Sequence, residues 1–126
     1  MILIDSNIFM YAAGKPHPAK APSASIIRRI ARAEIDAVID ADVLQEILHR
    51  YWALHRVTDG QRVYDLARRV VPEVLPITAE LTDKARRLLT DHPALSARDA
   101  LHAAVVLAHT LAGICSYDSD YDAVSN

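Results

Sequence analysis

Short apolar runs alternate with longer amphipathic segments along the chain. The apolar runs predict buried strands at residues 2–4, 37–39, 74–77 and 114–116. Apolar residues recurring at a period near 3.6 predict helices over residues 6–13, 25–33, 43–55, 61–71, 78–91 and 96–112. Strands that alternate with helices indicate an α/β fold with a mainly parallel sheet, and we expect residues 1–126 to form one domain.

Turn and capping residues mark the predicted boundaries. Residues 14–22 hold a glycine and three prolines and are expected to be a loop. Asp42 is the expected N-cap of the third helix. Asp59 and Gly60 predict a turn before the fourth helix, and Gly113 predicts a left-handed stop after the last one.

Composition narrows the class of protein. The chain has 126 residues, of which 52% are hydrophobic, so it is expected to be globular. A net charge of -2 gives no overall indication of nucleic-acid binding. The single cysteine, Cys115, excludes an internal disulfide and suits a reducing cytosol. Because no export signal and no apolar run of about 20 residues is seen, we expect a cytoplasmic protein without membrane contact.

Acidic residues follow the predicted strands or begin the nearby helices. They are Asp5, Asp42, Glu46, Asp99, Asp118 and Asp120. The carboxyl ends of parallel strands share one edge of a sheet, which is where ligands bind in such folds. Two carboxylates about 4 Å apart repel by roughly 4 kcal/mol at an effective dielectric constant near 20. Their clustering therefore predicts a hard divalent cation, Mg²⁺ or Mn²⁺, and the hydrolysis of phosphate esters or phosphodiesters.

Each acid also has a purely structural interpretation. Asp5 could cap the short helix that follows it. Glu46 could pair with Arg50 one turn further along its helix. Asp99 stands three residues after Ser96 and could form a capping pair with it. It is the joint placement of these acids at one edge that favours a functional site.

The histidines show no spacing typical of a metal site. His102 lies on the same stripe of the last helix as Asp99 and could reach the acidic edge. A buried histidine with satisfied hydrogen bonds is the more common outcome at such a position, and His102 is expected to be one.

Four segments, taken in order, carry a family resemblance. LIDSN, DADVLQEIL, SARDALHAA and CSYDSDYD span nearly the whole chain. With them the sequence resembles the PIN-domain ribonucleases, and most closely the VapC toxins of toxin–antitoxin pairs. The resemblance implies a three-layer α/β sandwich in which helices flank a mainly parallel sheet of four strands, or of five.

The resemblance also assigns residues to a site. It implies a metal centre of carboxylates, formed by Asp5, Glu46, Asp99 and Asp118, with Asp120 as an additional acid. It implies a second group of residues that hold these ligands through hydrogen bonds, namely Ser6, Asn7 and Ser116. The chain ends at Asn126, where many relatives continue into a fifth strand.

The activity implied by the resemblance is Mg²⁺- or Mn²⁺-dependent endoribonuclease cleavage of RNA. The implied partners are a second copy of the chain and a VapB-like antitoxin whose tail occupies the acidic groove. Two rivals are a PIN-like module that only binds partners and a phosphatase with Asp5 as covalent nucleophile. The phosphatase is disfavoured because such enzymes need a second aspartate where this chain has Asn7.

Overall fold

The structure, a computed structural model, describes residues 1–117. Its strands and helices follow one another in the order β1 (Ile2–Ile4), α1 (Ser6–Ala13), α2 (Lys20–Ala31), β2 (Ala37–Asp40), α3 (Ala41–Ala53), α4 (Val57–Val70), β3 (Val74–Leu75), α5 (Ala79–Asp91), α6 (Ala97–Ala108) and β4 (Ile114–Cys115). The predicted alternation of strands and helices is confirmed.

The strands of the described residues form one parallel sheet in the order β3-β2-β1-β4. Leu3 of β1 pairs with Val38 of β2 on one side and with Ile114 of β4 on the other. The first three strands extend the sheet in one direction, and β4 is added on the opposite side of β1. The strand order therefore reverses between β1 and β4, and such switch points are where open α/β sheets form their ligand crevices.

Helices cover both faces of the sheet because its strands are apolar on both sides. Ile4 and Ile39 point towards α1–α4 and join the larger buried cluster. Leu3 and Val38 point the other way and pack with Val106 of α6. The result is the predicted three-layer sandwich. None of the helices in residues 1–117 combines the length and the apolar character needed to cross a membrane.

Asp40, not Asp42, is the N-cap of α3, so that prediction was wrong. The Asp40 carboxylate accepts a hydrogen bond from the backbone N–H of Val43 at 2.9 Å, and α3 begins at Ala41. Because the strand ends at Asp40 itself, the helix starts two residues earlier than its apolar periodicity indicates. Asp42 then lies in the first turn of α3 with its side chain available for other contacts.

Two other boundaries also differ from the prediction. Helix α2 begins at Lys20, because Pro22 lies in its first turn, where a backbone N–H has no helical partner to lose. Gly60 lies inside α4 rather than in a turn before it. A Cβ at Gly60 would stand 2.6 Å from the Cβ of Tyr51, so this glycine permits α3 and α4 to pack closely.

The last helix ends four residues earlier than predicted. Helix α6 stops at Ala108, and Thr110 adopts the left-handed conformation with a φ of 52°. Gly113 has no positive φ, so the glycine is not the stop signal that the sequence indicates. The backbone N–H of Leu111 donates to the carbonyl of Val106 at 2.9 Å, which closes the helix end.

Candidate active site

Asp5 stands where β1 ends and α1 begins, and it serves both elements. Its Oδ1 accepts a hydrogen bond from the backbone N–H of Ser6 at 2.7 Å, which makes it the N-cap of α1. Its Oδ2 accepts one from the hydroxyl of Ser116 at 2.7 Å. Burial raises the pKa of Asp5, although the charge of His102 and the Ser116 hydrogen bond oppose that shift. Capping the helix and lying in a site are therefore compatible.

Ser116 and Asn7 fix the Asp5 carboxylate from the far side of the switch point. The Asn7 side-chain amide donates to Ser116 Oγ at 3.1 Å, and the Asn7 carbonyl oxygen accepts from the backbone N–H of Tyr117 at 3.4 Å. These bonds join α1 to the segment that follows β4. Ser6, whose backbone also binds Asp5, is buried. The three polar residues thus hold the first acid in one orientation.

Helix α3 brings a second pair of acids to the same edge. Asp42 and Glu46 are four residues apart and so lie on one face of the helix. Arg98 pairs with both: its Nε is 3.5 Å from Asp42 Oδ2, and its Nη1 is 3.6 Å from Glu46 Oε1. Among the ion pairs of the described residues, Glu46 has Arg98 and His102 as partners, not Arg50.

The pKa values of the two acids of α3 are shifted in opposite directions. Burial raises the pKa of Asp42 and outweighs the opposing charges of His102 and Arg98. Burial acts in the same direction on Glu46, but His102 and Arg98 outweigh it and lower the pKa of that carboxyl. Glu46 is therefore ionised over the whole physiological range of pH.

His102 lies at the centre of the acids and is fully buried. Its Nδ1 is 2.6 Å from Asp40 Oδ2. Its Nε2 is 3.5 Å from Asp42 Oδ2, 3.7 Å from Glu46 Oε2 and 4.0 Å from Asp5 Oδ1. Burial lowers the pKa of His102, but with only protein groups around it the carboxylates outweigh burial and raise the value to about 10.

The expectation that His102 is a satisfied core histidine was wrong. Its Nε2 has no hydrogen-bond partner in residues 1–117, and neither do Asp42 Oδ2 and Glu46 Oε2, although all three atoms are buried. They face one another at ion-pair distances. The sequence carried one signal of this arrangement, a histidine one turn after Asp99 on a helix that is otherwise almost entirely apolar.

The other predicted acids divide into two groups. Asp99 is buried in the first turn of α6, one turn before His102, and its backbone N–H donates to the Ser96 hydroxyl at 3.1 Å. The capping interpretation of Ser96 thus holds, and Asp99 lies on the same face of α6 as His102, three residues before it. Asp118 and Asp120 lie outside the described residues.

The side chains fit a divalent cation. Ligand atoms of Asp5, Glu46 and His102 lie within 4.8 Å of one another. Carboxylate oxygens and an imidazole nitrogen are both common ligands of divalent first-row metals. Buried oxygens that lack hydrogen-bond donors are costly unless a cation or a proton satisfies them. The cluster of Asp5, Glu46 and His102, called here the acidic centre, can therefore hold a metal ion and bring it to a phosphate.

A basic groove begins at the acidic centre. It has a volume of about 740 Å³ and runs between α1 and α3. Glu46 lies on its wall together with the cationic side chains of Lys15, Arg50, Arg56 and Arg98. The chain is acidic overall, yet positive charge is concentrated where a polyanion could approach the centre.

Comparison with known proteins agrees with the fold. The profile of the PIN domain family matches residues 2–126. Ribonuclease VapC13 of Mycobacterium tuberculosis is 43% identical over 122 residues, which cover 97% of this chain and 93% of that protein. Ribonuclease VapC23 of the same species is 32% identical over 118 residues, covering 94% of this chain and 93% of that protein.

A solved structure has the same architecture. The crystal structure of Mycobacterium tuberculosis VapC20, which is described as a sarcin–ricin loop cleaving toxin, superposes with a TM-score of 0.79 at 18% sequence identity. The match covers 98% of this chain and 94% of that one, and at this identity it supports the fold alone. The family profile and the identities to VapC13 and VapC23 carry the assignment: this chain belongs to the PIN domain family, in the group of the VapC ribonucleases.

Proposed function

We propose that this chain is an endoribonuclease toxin that hydrolyses RNA phosphodiester bonds with Mg²⁺ or Mn²⁺. The observation that carries the proposal is the acidic centre, where Asp5 and Glu46 face each other with a buried oxygen of Glu46 that has no hydrogen-bond donor in the described residues. The ion would be held by Asp5, Glu46, Asp99 and Asp118, with Asp120 as an additional acid. When bound, it would lower the pKa of a water and stabilise negative charge on the phosphate.

The protein groups position the reaction. Asp5 is held by the Ser6 backbone and the Ser116 hydroxyl. Its carboxylate is therefore already oriented before the substrate binds. Glu46 is ionised because His102 and Arg98 lower its pKa. It can therefore orient the attacking water or accept its proton, and Asp120 is the other carboxylate proposed for that step.

The basic groove is the proposed path of the RNA. Lys15, Arg50, Arg56 and Arg98 line it and can neutralise successive phosphates. Tyr11 also lines it and stacks on His17 with 4.6 Å between ring centroids, which offers an aromatic surface to an unpaired base. This path brings the phosphodiester to Glu46 and to the ion.

The proposed partners are an antitoxin and a second copy of the chain. Arg98 shows that a guanidinium fits against Asp42 and Glu46, so an arginine from a VapB-like tail could neutralise the same acids. Four exposed apolar side chains on α3, α4 and the loop between them support a homodimer; they are Leu48, Trp52, Leu54 and Val57. We also propose that residues 1–126 act as a single domain in the cytoplasm.

The test is RNA cleavage by matched variants. Wild type, Asp5→Asn and Asp83→Asn are incubated with structured and single-stranded RNAs, with and without Mn²⁺. Asp83 is an exposed acid on α5, so Asp83→Asn controls for the loss of one charge. Cleavage is expected only with the metal, in wild type and Asp83→Asn but not in Asp5→Asn.

Two results would contradict the proposal. Cleavage that persists in Asp5→Asn would mean that other groups, or a contaminant, carry the activity. If millimolar Mn²⁺ produced neither cleavage nor a rise in melting temperature, the chain would be a PIN-like binding module instead. A phospho-aspartyl intermediate on Asp5 would favour the phosphatase, although Asn7 is occupied in holding Ser116 rather than acting as a second acid.

A further inference from the structure

The two ring nitrogens of His102 have different environments. Nδ1 is bound to Asp40, whereas Nε2 faces the acids and has no hydrogen-bond partner in the part of the chain that is described. The side chain is fully buried, so water from the bulk does not explain this arrangement. Nε2 therefore has carboxylates at ion-pair distance but no hydrogen bond, an environment that suits a metal-ligating nitrogen.

Asp40 is itself held at both oxygens. Oδ1 accepts from the backbone N–H of Val43, and Oδ2 is 2.6 Å from His102 Nδ1. A carboxylate that accepts the N–H of an imidazole fixes its tautomer and its ring orientation, which is how histidine ligands of metals are usually supported. In the neutral imidazole, which a metal ion would bind, Asp40 thereby places the proton on Nδ1 and leaves the lone pair of Nε2 facing Asp5 and Glu46.

The distances around Nε2 suit a shared ion. Nε2 is 3.5 Å from Asp42 Oδ2, and it is 3.7 Å from Glu46 Oε2 and 4.0 Å from Asp5 Oδ1; the last two distances exceed ordinary hydrogen-bond lengths. Ligands bound to one ion at about 2.1 Å stand roughly 3 to 4 Å apart. The three atoms are thus too far apart to bind one another well and are correctly spaced to bind one cation.

We propose that His102 is a nitrogen ligand of the metal centre, with Asp5 and Glu46 as oxygen ligands and Asp40 as the residue that orients the imidazole. The proposal rests on the divalent ion of the proposed function and specifies its ligand chemistry. A nitrogen ligand favours Mn²⁺ or Co²⁺ over Mg²⁺, which prefers oxygen. The centre is therefore expected to bind Mn²⁺ more tightly than Mg²⁺.

Pulsed electron paramagnetic resonance of the Mn²⁺-loaded wild type tests the ligand directly. The spectrum is expected to show a hyperfine coupling to ¹⁴N, and this coupling is expected to change to the ¹⁵N pattern in protein grown with ¹⁵N-histidine. Because the measurement uses the wild type, it does not depend on any variant folding. Mn²⁺ bound without a histidine nitrogen coupling would overturn the proposal while leaving the proposed ribonuclease intact.

Variants assign the coupling to one histidine. His102→Gln is expected to lose it, and His49→Gln is expected to keep it, since His49 lines the groove next to Glu46 and is the natural competitor. A coupling lost in His49→Gln would overturn the assignment. Failure of the wild type to bind Mn²⁺ at all would instead contradict the proposed function.

Asp40→Asn tests the orienting residue. Asparagine retains an oxygen that can cap α3, but it cannot provide the carboxylate charge opposite Nδ1. Mn²⁺ affinity is expected to fall by about 10- to 100-fold, the usual effect of removing the residue that supports a histidine ligand. The affinity for Mg²⁺ is expected to fall less. An equal loss for both ions would mean that Asp40 acts only on the fold and would contradict its proposed part in the centre.

Discussion

The two edges of the sheet, at the carboxyl and the amino ends of its strands, differ in whether their polar groups are buried. At the carboxyl edge, buried polar residues are gathered in one place: five of the six buried polar or charged residues among the described ones are Asp5, Ser6, Asp40, Asp99 and His102. At the amino edge, the charged pair is the N-terminus of Met1 with Asp36, 3.9 Å apart and largely exposed.

This difference in burial favours the carboxyl edge as the location of a functional site. An exposed ion pair such as that of Asp36 contributes about 0 to 1 kcal/mol and can be lost without consequence. Several buried carboxylates around one histidine oppose folding unless each is paired, so stability alone does not account for them. The carboxyl edge holds buried carboxylate oxygens that His102 and Arg98 approach only at ion-pair distance, without a hydrogen bond to Asp42 Oδ2 or Glu46 Oε2, and such oxygens are suited to bind a metal ion.

The largest expected effect contrasts the two edges by activity. Asp5→Asn is expected to reduce RNA cleavage on the order of 1,000-fold, the size of effect seen when a group that stabilises transition-state charge is removed. Asp36→Asn is the matched control and is expected to leave the rate unchanged. Initial rates on one labelled RNA in Mn²⁺ would measure both. Equal losses in the two variants would contradict the assignment of function to the carboxyl edge.

The proximity of Asp5 and Glu46 could be predicted from the sequence, because the residues next to each acid indicate its position in the fold. Asp5 ends an apolar run, and Glu46 lies on the face of a helix that follows the next strand. The parallel sheet then brings the two together without further information. Asp99 opens a buried helix, as predicted, and its part in the site stays a prediction.

The contact between His102 and Asp40 could not be foreseen, because it joins positions 62 residues apart. The predicted strand ended at residue 39, no role was assigned to Asp40, and the cap of α3 was assigned to Asp42. Periodicity shows which face of a helix is buried, but it does not show which strand end that face meets. The boundaries at Gly60 and Gly113 were missed for a related reason, because helix packing and a left-handed threonine determine them.

The second prediction concerns stability at the carboxyl edge. His102→Ala is expected to reduce the free energy of unfolding by about 3 kcal/mol or more in EDTA, because it leaves the buried Asp40 side chain without its ion-pair partner, with only the Val43 N–H still bound to it. His109→Ala, an exposed change at the end of the same helix, is expected to stay within about 0.5 kcal/mol of wild type. Urea denaturation measures both. Similar values for the two variants would show that His102 does not stabilise the cluster.

The third prediction is a pH dependence of the metal-free protein. The pKa of His102 is raised from 6.5 to about 10 in the fold, so the folded state holds a proton that the unfolded state releases. The resulting stability is complete below about pH 6.5 and is lost as the pH rises towards 10, by up to about 1.4 kcal/mol per pH unit. Denaturation in EDTA at pH 6, 8 and 9.5 would show the decline. His102→Gln should flatten it, and a decline that is unchanged in this variant would assign it to another group.

The smallest expected effect lies at the border of the acidic centre. Arg98 is 40% exposed, so its ion pairs with Asp42 and Glu46 are screened by solvent, and Arg98→Gln is expected to cost less than about 1 kcal/mol of stability. Its effect on ligands should be larger than its effect on folding. Arg98→Gln removes a positive charge beside Glu46, so it should strengthen Mn²⁺ binding a few-fold. The same change removes a positive charge from the groove, so it should raise the KM for RNA. Calorimetric Mn²⁺ titration and cleavage kinetics on the same variant separate these effects. Weaker Mn²⁺ binding in Arg98→Gln would contradict this prediction. It would mean that the guanidinium holds Asp42 and Glu46 in position rather than competing with the metal.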